Sequence, residues 1–142
     1  MFDRILLIDD DHPTNLLHRI FIEKSGLSND ITEFTYAETA LKWLKELDLS
    51  DFPCLILLDI NMPRMTGFDF LIEFKKHFPE KYTRKIVMLT TSMNPDDELR
   101  AREMGIFDYL TKPLSVKKLR ILYSKMKEQS LLEDENDLKF QT

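Results

Sequence analysis

Two short apolar runs in this 142-residue chain end in carboxylates. Arg4 to Ile8 (RILLI) leads into Asp9, Asp10 and Asp11, and Leu55 to Leu58 (LILL) leads into Asp59. A third run, Lys85 to Leu89, closes on Thr90, Thr91 and Ser92, and a fourth, Ile106 to Leu110, is followed by Lys112-Pro113. Asp is disfavoured within strands and seldom buried without a partner, so an acid at such a position either caps the next turn or serves chemistry. If the runs are neighbouring strands, Asp9 or Asp10 and Asp59 meet in one crevice with Thr90 and Lys112. Carboxylates that close repel one another and call for a cation. Hard oxygen ligands suit Mg²⁺, which is commonly held by one or two carboxylates plus phosphate oxygens. Carboxylates, Mg²⁺, a hydroxyl and an ammonium together suit a phosphoryl group, which such a site handles by positioning and charge neutralisation. A carboxylate can also be the nucleophile, giving an aspartyl phosphate.

The elements that would position these residues follow from apolar spacing. Leu55 to Leu58 is too short for a helix, lies between Pro53 and the turn Asn61 to Gly67, and fits a strand buried on both faces. After Pro13, Leu16, Leu17, Ile20 and Phe21 recur at helical spacing until Gly26 supplies a C-terminal stop, which predicts a first helix. Ile31 to Thr35 is a second strand, and Ala37, Ala40, Leu41, Leu44 and Leu47 mark a second helix. Phe70, Leu71, Phe74 and Phe78 define a third helix ended by Pro79. Asn94-Pro95-Asp96 starts a fourth, with the thinnest apolar face, which Gly105 stops. Val116, Leu119, Tyr123 and Met126 place the buried stripe of a fifth. Strands and helices alternate five times, which predicts an α/β fold with a parallel sheet covered on both faces. The flavodoxin-like order 2-1-3-4-5 makes strands one and three neighbours at the topological switch point, so their acids gather there.

Composition bounds the rest. One domain's worth of chain leaves no room for a second domain of useful size. A net charge of −5 with dispersed Lys and Arg offers no footprint for nucleic acid. The single cysteine, Cys54, excludes an internal disulfide and reads as a small core residue. MFDRILLIDDD lacks the apolar length of a signal peptide, and no stretch approaches a membrane span, so a cytoplasmic location without membrane insertion is expected.

In order and spacing, LLIDDD, LLDINMPRMTG, LTTS and YLTKP resemble the blocks of a response-regulator receiver domain, the phosphoacceptor module of two-component signalling, over roughly residues 3 to 128. The resemblance implies that Asp59 is phosphorylated by a sensor histidine kinase or a histidine phosphotransfer protein. It implies that Asp9 and Asp10 hold Mg²⁺, Asp10 more directly, with Asp59 and the backbone carbonyl of Asn61 as further ligands. Thr90 is then the hydroxyl that follows the phosphoryl group, Lys112 the lysine that pairs with it, Pro113 a candidate for a cis peptide, and Tyr109 an aromatic switch residue that rotates inward. Such a protein is a signalling phosphoacceptor rather than an enzyme, with self-catalysed phosphoryl transfer and slow autodephosphorylation. The surface of the fourth helix, fifth strand and fifth helix would present its state to a downstream protein target or, as an alternative, to a second copy in a phosphorylation-dependent homodimer.

Each residue also has a plainer role. Thr90 alone could be a strand-end residue, Lys112 a surface lysine, Tyr109 packing, and Asp11 and His12 exposed turn residues. Met62, Pro63, Met65 and Gly67 read as the turn shaping the site, and the three histidines show no metal spacing. Two rival functions share these residues: a receiver-like scaffold that binds partners without phosphorylation, and an Asp-nucleophile phosphohydrolase. The second fits poorly because the residue two beyond Asp59 is Asn61, not an acid. Boundaries follow as a stand-alone receiver-like domain over 1–128 and an acidic tail or extension of helix five over 129–142.

Overall fold

The computed structural model describes residues 1–129, so the tail expected over 129–142 lies, but for its first residue, outside the described residues. The apolar runs become strands with no polar face: every residue of Ile5–Ile8 (β1), Leu55–Leu58 (β3) and Ile86–Thr90 (β4) is buried. Half-buried Ile31–Phe34 (β2) and Asp108–Thr111 (β5) form the edges of a five-stranded sheet in the order β2-β1-β3-β4-β5, parallel throughout. Successive side chains of a strand point to opposite faces, so Leu6 and Ile8 enter one core and Ile5 and Leu7 the other.

Helices His12–Ser25 (α1) and Val116–Glu128 (α6) cover the Ile5/Leu7 face. Ala37–Glu46 (α2), Gly67–His77 (α3) and Pro95–Glu103 (α5) cover the other. A single turn, Glu80–Thr83 (α4), follows Pro79 and is absent from the sequence reading, because four residues carry no periodicity. The fourth and fifth expected helices are therefore α5 and α6. β5 starts at Asp108 rather than Ile106: Ile106 packs into the core as a lead-in, and the Phe107 amide donates to Ile86 O at 2.8 Å before the regular ladder begins.

Local signals set the helix ends. Asp11 caps α1, Asn94 caps α5 with Pro95 next, Ser115 caps α6, and Thr66 with Asp69 forms a capping box on α3. The apolar residues of α1 divide between solvent and core, with Phe21 half-buried against the sheet. Leu16, Leu17 and Ile20 face solvent, and the buried face is Asn15, His18 and Ile22. A 3.6-residue period marks that a helix has an apolar stripe, but not that the stripe meets this protein's own core.

Candidate functional site

β1 and β3 run in register with Ile8 opposite Leu58, so Asp9 and Asp59 leave the sheet side by side. The Asp59 amide donates to Ile8 O at 2.9 Å and the Asp9 amide to Phe34 O at 3.1 Å, which anchors both strand ends. Both carboxylates are buried, Asp9 4% and Asp59 6% exposed, while Asp10 is open to solvent. One carboxylate oxygen from each of Asp9, Asp10 and Asp59 lies within 4.8 Å of the others, a donor set that can hold a metal ion.

Lys112 reaches this cluster from β5, across β4. Its amide donates to Thr90 O at 2.8 Å, the Lys112–Pro113 peptide is cis, and Nζ lies 2.6 Å from Asp9 Oδ2 and 3.3 Å from Asp59 Oδ1. Burial and the neighbouring Asp9 charge push the Asp59 carboxyl up to about 6, with Lys112 pulling the other way. Burial disfavours the Lys112 cation, yet the two carboxylates hold its pKa above the ordinary lysine value. Two buried acids and one cation leave excess negative charge, the condition under which an added cation is stabilised.

Thr90 is fully buried, and its Oγ1 accepts from the Ser92 amide at 3.1 Å, which leaves the O–H able to donate to a group above the site. The Ser92 hydroxyl donates to Asp97 Oδ2 at 2.8 Å, linking the β4 end to the first turn of α5. Tyr109 lies inside the core, 7% exposed, with its hydroxyl near Ser92. Asn61 is exposed two residues beyond Asp59, in the turn that Gly67 closes by donating to Ile60 O at 2.8 Å. A Cβ on Gly67 would sit 2.4 Å from Asp59 O, so only glycine lets α3 approach the strand end this closely.

Acids at the ends of β1 and β3, a hydroxyl after β4 and a lysine after β5, converging on a 2-1-3-4-5 sheet, match known proteins in both sequence and shape. The response regulator receiver domain family model matches residues 5–123. The chain belongs to this family. It is 32% identical to the response regulator Rcp1 of Synechocystis over 118 residues, 81% of this chain and 80% of Rcp1. It is 35% identical to the phosphate regulon transcriptional regulatory protein PhoB of Escherichia coli over 121 residues, 84% of this chain but only 49% of PhoB. Among solved structures, a two-component response regulator from Cytophaga hutchinsonii superposes with a TM-score of 0.82 at 32% identity, covering 89% of this chain and 98% of that one.

Two polar residues of this receiver domain touch the site without having been singled out in the sequence. Asn15 is fully buried and its Nδ2 donates to Asp9 O at 2.9 Å, holding the turn that presents Asp9 and Asp10. His18 is buried beside Asp9, and desolvation drops its pKa to about 4. The usable signal was the i, i+3, i+7 spacing of Asn15, His18 and Ile22, on the side of α1 away from Leu16, Leu17 and Ile20. Asp11 and His12 are exposed, but as the cap and first residue of α1 rather than a turn: Asp11 accepts from the Thr14 amide at 3.1 Å, and the His12 ring lies 3.9 Å from Glu33.

Proposed function

We propose that this receiver domain accepts a phosphoryl group on Asp59 from a phosphohistidine donor and reports the event through α5, β5 and α6. The observation that supports the reading most is the placement of the Lys112 ammonium within reach of both buried carboxylates. Asp59, Asp9, Asp10 and the Asn61 carbonyl would hold Mg²⁺, which when bound neutralises charge on the transferring phosphoryl group. An Asp59 oxygen attacks phosphorus, the P–N bond to the donor imidazole breaks, and the imidazole leaves with its electron pair. Lys112 and the free O–H of Thr90 then meet the new oxygens. Because Thr90 is linked through Ser92 to Asp97, the phosphoryl group biases α5, the helix with only Ala101 buried. Tyr109 takes part as a ring held in the core beside that helix, in a shifted population rather than a mechanical push.

The donor surface is proposed on α1, where exposed Leu16, Leu17 and Ile20 follow directly on the acidic turn. A sensor kinase or phosphotransfer protein offering an apolar helical face would bury them while its histidine approaches Asp59. The downstream protein target, or a second copy of the domain, would bind at α5, β5 and α6. No helix among the described residues is long and apolar enough to cross a membrane, in keeping with a cytoplasmic site of action. Mass spectrometry after treatment with acetyl phosphate and Mg²⁺ tests the core of this reading: one phosphoryl group should appear on Asp59, and none with chelator or in Asp59→Asn. A label on another residue would overturn it, and no label in the wild type would leave a scaffold that binds without phosphorylation.

A further inference from the structure

Behind the acidic cluster, between α1 and the sheet, lies a cavity of about 10 Å³. Aliphatic side chains of β1, β3 and β4 line part of it, and Asp9, Asn15, His18 and Asp59 supply the rest. Cavities lined only by apolar groups stay dry, whereas a polar cavity of this size takes one water that makes two to four hydrogen bonds. Asn15 is fully buried, its Nδ2 is committed to Asp9 O, and its Oδ1 has no partner among the described residues. A buried amide oxygen rarely stays unpaired in a folded protein.

We propose that this cavity binds one ordered water, which donates to Asn15 Oδ1 and to an Asp59 carboxylate oxygen and accepts a ring N–H of His18. The water has two donors and His18 supplies one, so each bond has a partner of the right sense. It fixes the acceptor carboxylate from the side opposite the incoming phosphoryl group. Asn15 and His18 are then positioning residues. The functional part of this inference rests on Asp59 being the phosphoryl acceptor; the water site itself does not.

A high-resolution crystal structure of the full chain should show a water within hydrogen-bonding distance of Asn15 Oδ1 and the His18 ring; a dry cavity overturns the proposal. In solution, His18→Leu removes the N–H and fills the space. Its phosphorylation rate at saturating acetyl phosphate and Mg²⁺ should fall about three- to tenfold, the size set by one hydrogen bond. His18→Gln keeps an N–H donor and should restore most of the rate. Equal rates in Leu and Gln variants, whether both normal or both slow, would overturn the positioning role. If the wild type itself takes no phosphate, the phosphoacceptor reading fails, and the crystallographic density alone decides the water.

Discussion

Lys112 lies closer to Asp9 than to the proposed acceptor Asp59, 2.6 Å against 3.3 Å. In this state the ammonium therefore serves first to balance the β1 acid, and a phosphoryl group on Asp59 would have to draw it away. Removing one partner of a buried ion pair strands the other charges. Lys112→Met should lower stability by about 3 kcal/mol in chelator, with part of the loss recovered on adding Mg²⁺. Urea unfolding with and without the metal measures both, and a variant as stable as the wild type in chelator would show that the pairing contributes nothing.

Two groups at the site titrate with opposite consequences. The folded pKa of Asp59, about 6, lies above its ordinary 3.8. Between those values the folded state binds the extra proton, so the Asp59 contribution to stability falls as pH rises and its full cost stands above about pH 6. The His18 pKa of about 4 lies below its ordinary 6.5. There the unfolded state binds the extra proton, so stability falls as pH drops through the same window. Each shift is worth roughly 3 kcal/mol, and the two slopes oppose each other. In metal-free buffer the wild type should therefore show a shallow profile from pH 4 to 6.5. Asp59→Asn should be the more stable protein at pH 7, by an amount on the order of 2 kcal/mol, and should lose that advantage near pH 4. Urea midpoints across this range check both statements, and an Asp59→Asn advantage independent of pH would contradict the assignment.

Much of this arrangement was legible in the residues themselves, and the failures have identifiable causes. Strands buried on both faces, such as Leu55–Leu58, are uninterrupted apolar runs, so both their existence and the acids at their ends stood out. The outward placement of Leu16, Leu17 and Ile20 was not legible, because period alone does not distinguish a face that meets the core from one that meets solvent. Asn15 and His18 were passed over because a polar residue earns an inward position only through partners, here Asp9 O and the site cavity, that exist once β1 and α1 are assembled. The start of β5 slipped because Ile106 is as apolar as a strand residue while serving only as a lead-in.

The glycines separate contact from conformation. Gly67 has an ordinary φ, but a Cβ there would sit 2.4 Å from Asp59 O and 2.9 Å from Ile60 Cα. Gly26 has φ +71° with nothing within 4 Å of an added Cβ. Gly67→Ala should push α3 from the end of β3, costing about 1–3 kcal/mol and slowing phosphorylation severalfold, because the backbone carrying Asp59 must move. Gly26→Ala should cost about 1 kcal/mol through its left-handed backbone and leave the phosphorylation rate unchanged. Thermal unfolding paired with acetyl phosphate labelling tells the two apart; equal labelling by both variants would remove the Gly67 contact from the site.

The outward stripe of α1 bears on how the donor is recognised. Leu16, Leu17 and Ile20 are 50%, 42% and 39% exposed, on the first turns after the acidic loop, whereas the inward side of the helix is secured by Asn15, His18 and Ile22. Charging the outer face should therefore leave the fold and small-donor chemistry alone. Leu17→Glu should keep the wild-type melting temperature within a degree or two and the wild-type rate with acetyl phosphate, since surface changes of this kind stay within about 0.5 kcal/mol. Transfer from a cognate phosphohistidine protein should fall at least about fivefold, because burying one apolar anchor at an interface is worth more than about 1 kcal/mol. Transfer assays with both donors decide the matter. A variant slowed equally with protein and small-molecule donors would point to damage at the site, and one slowed with neither would move the docking surface off α1.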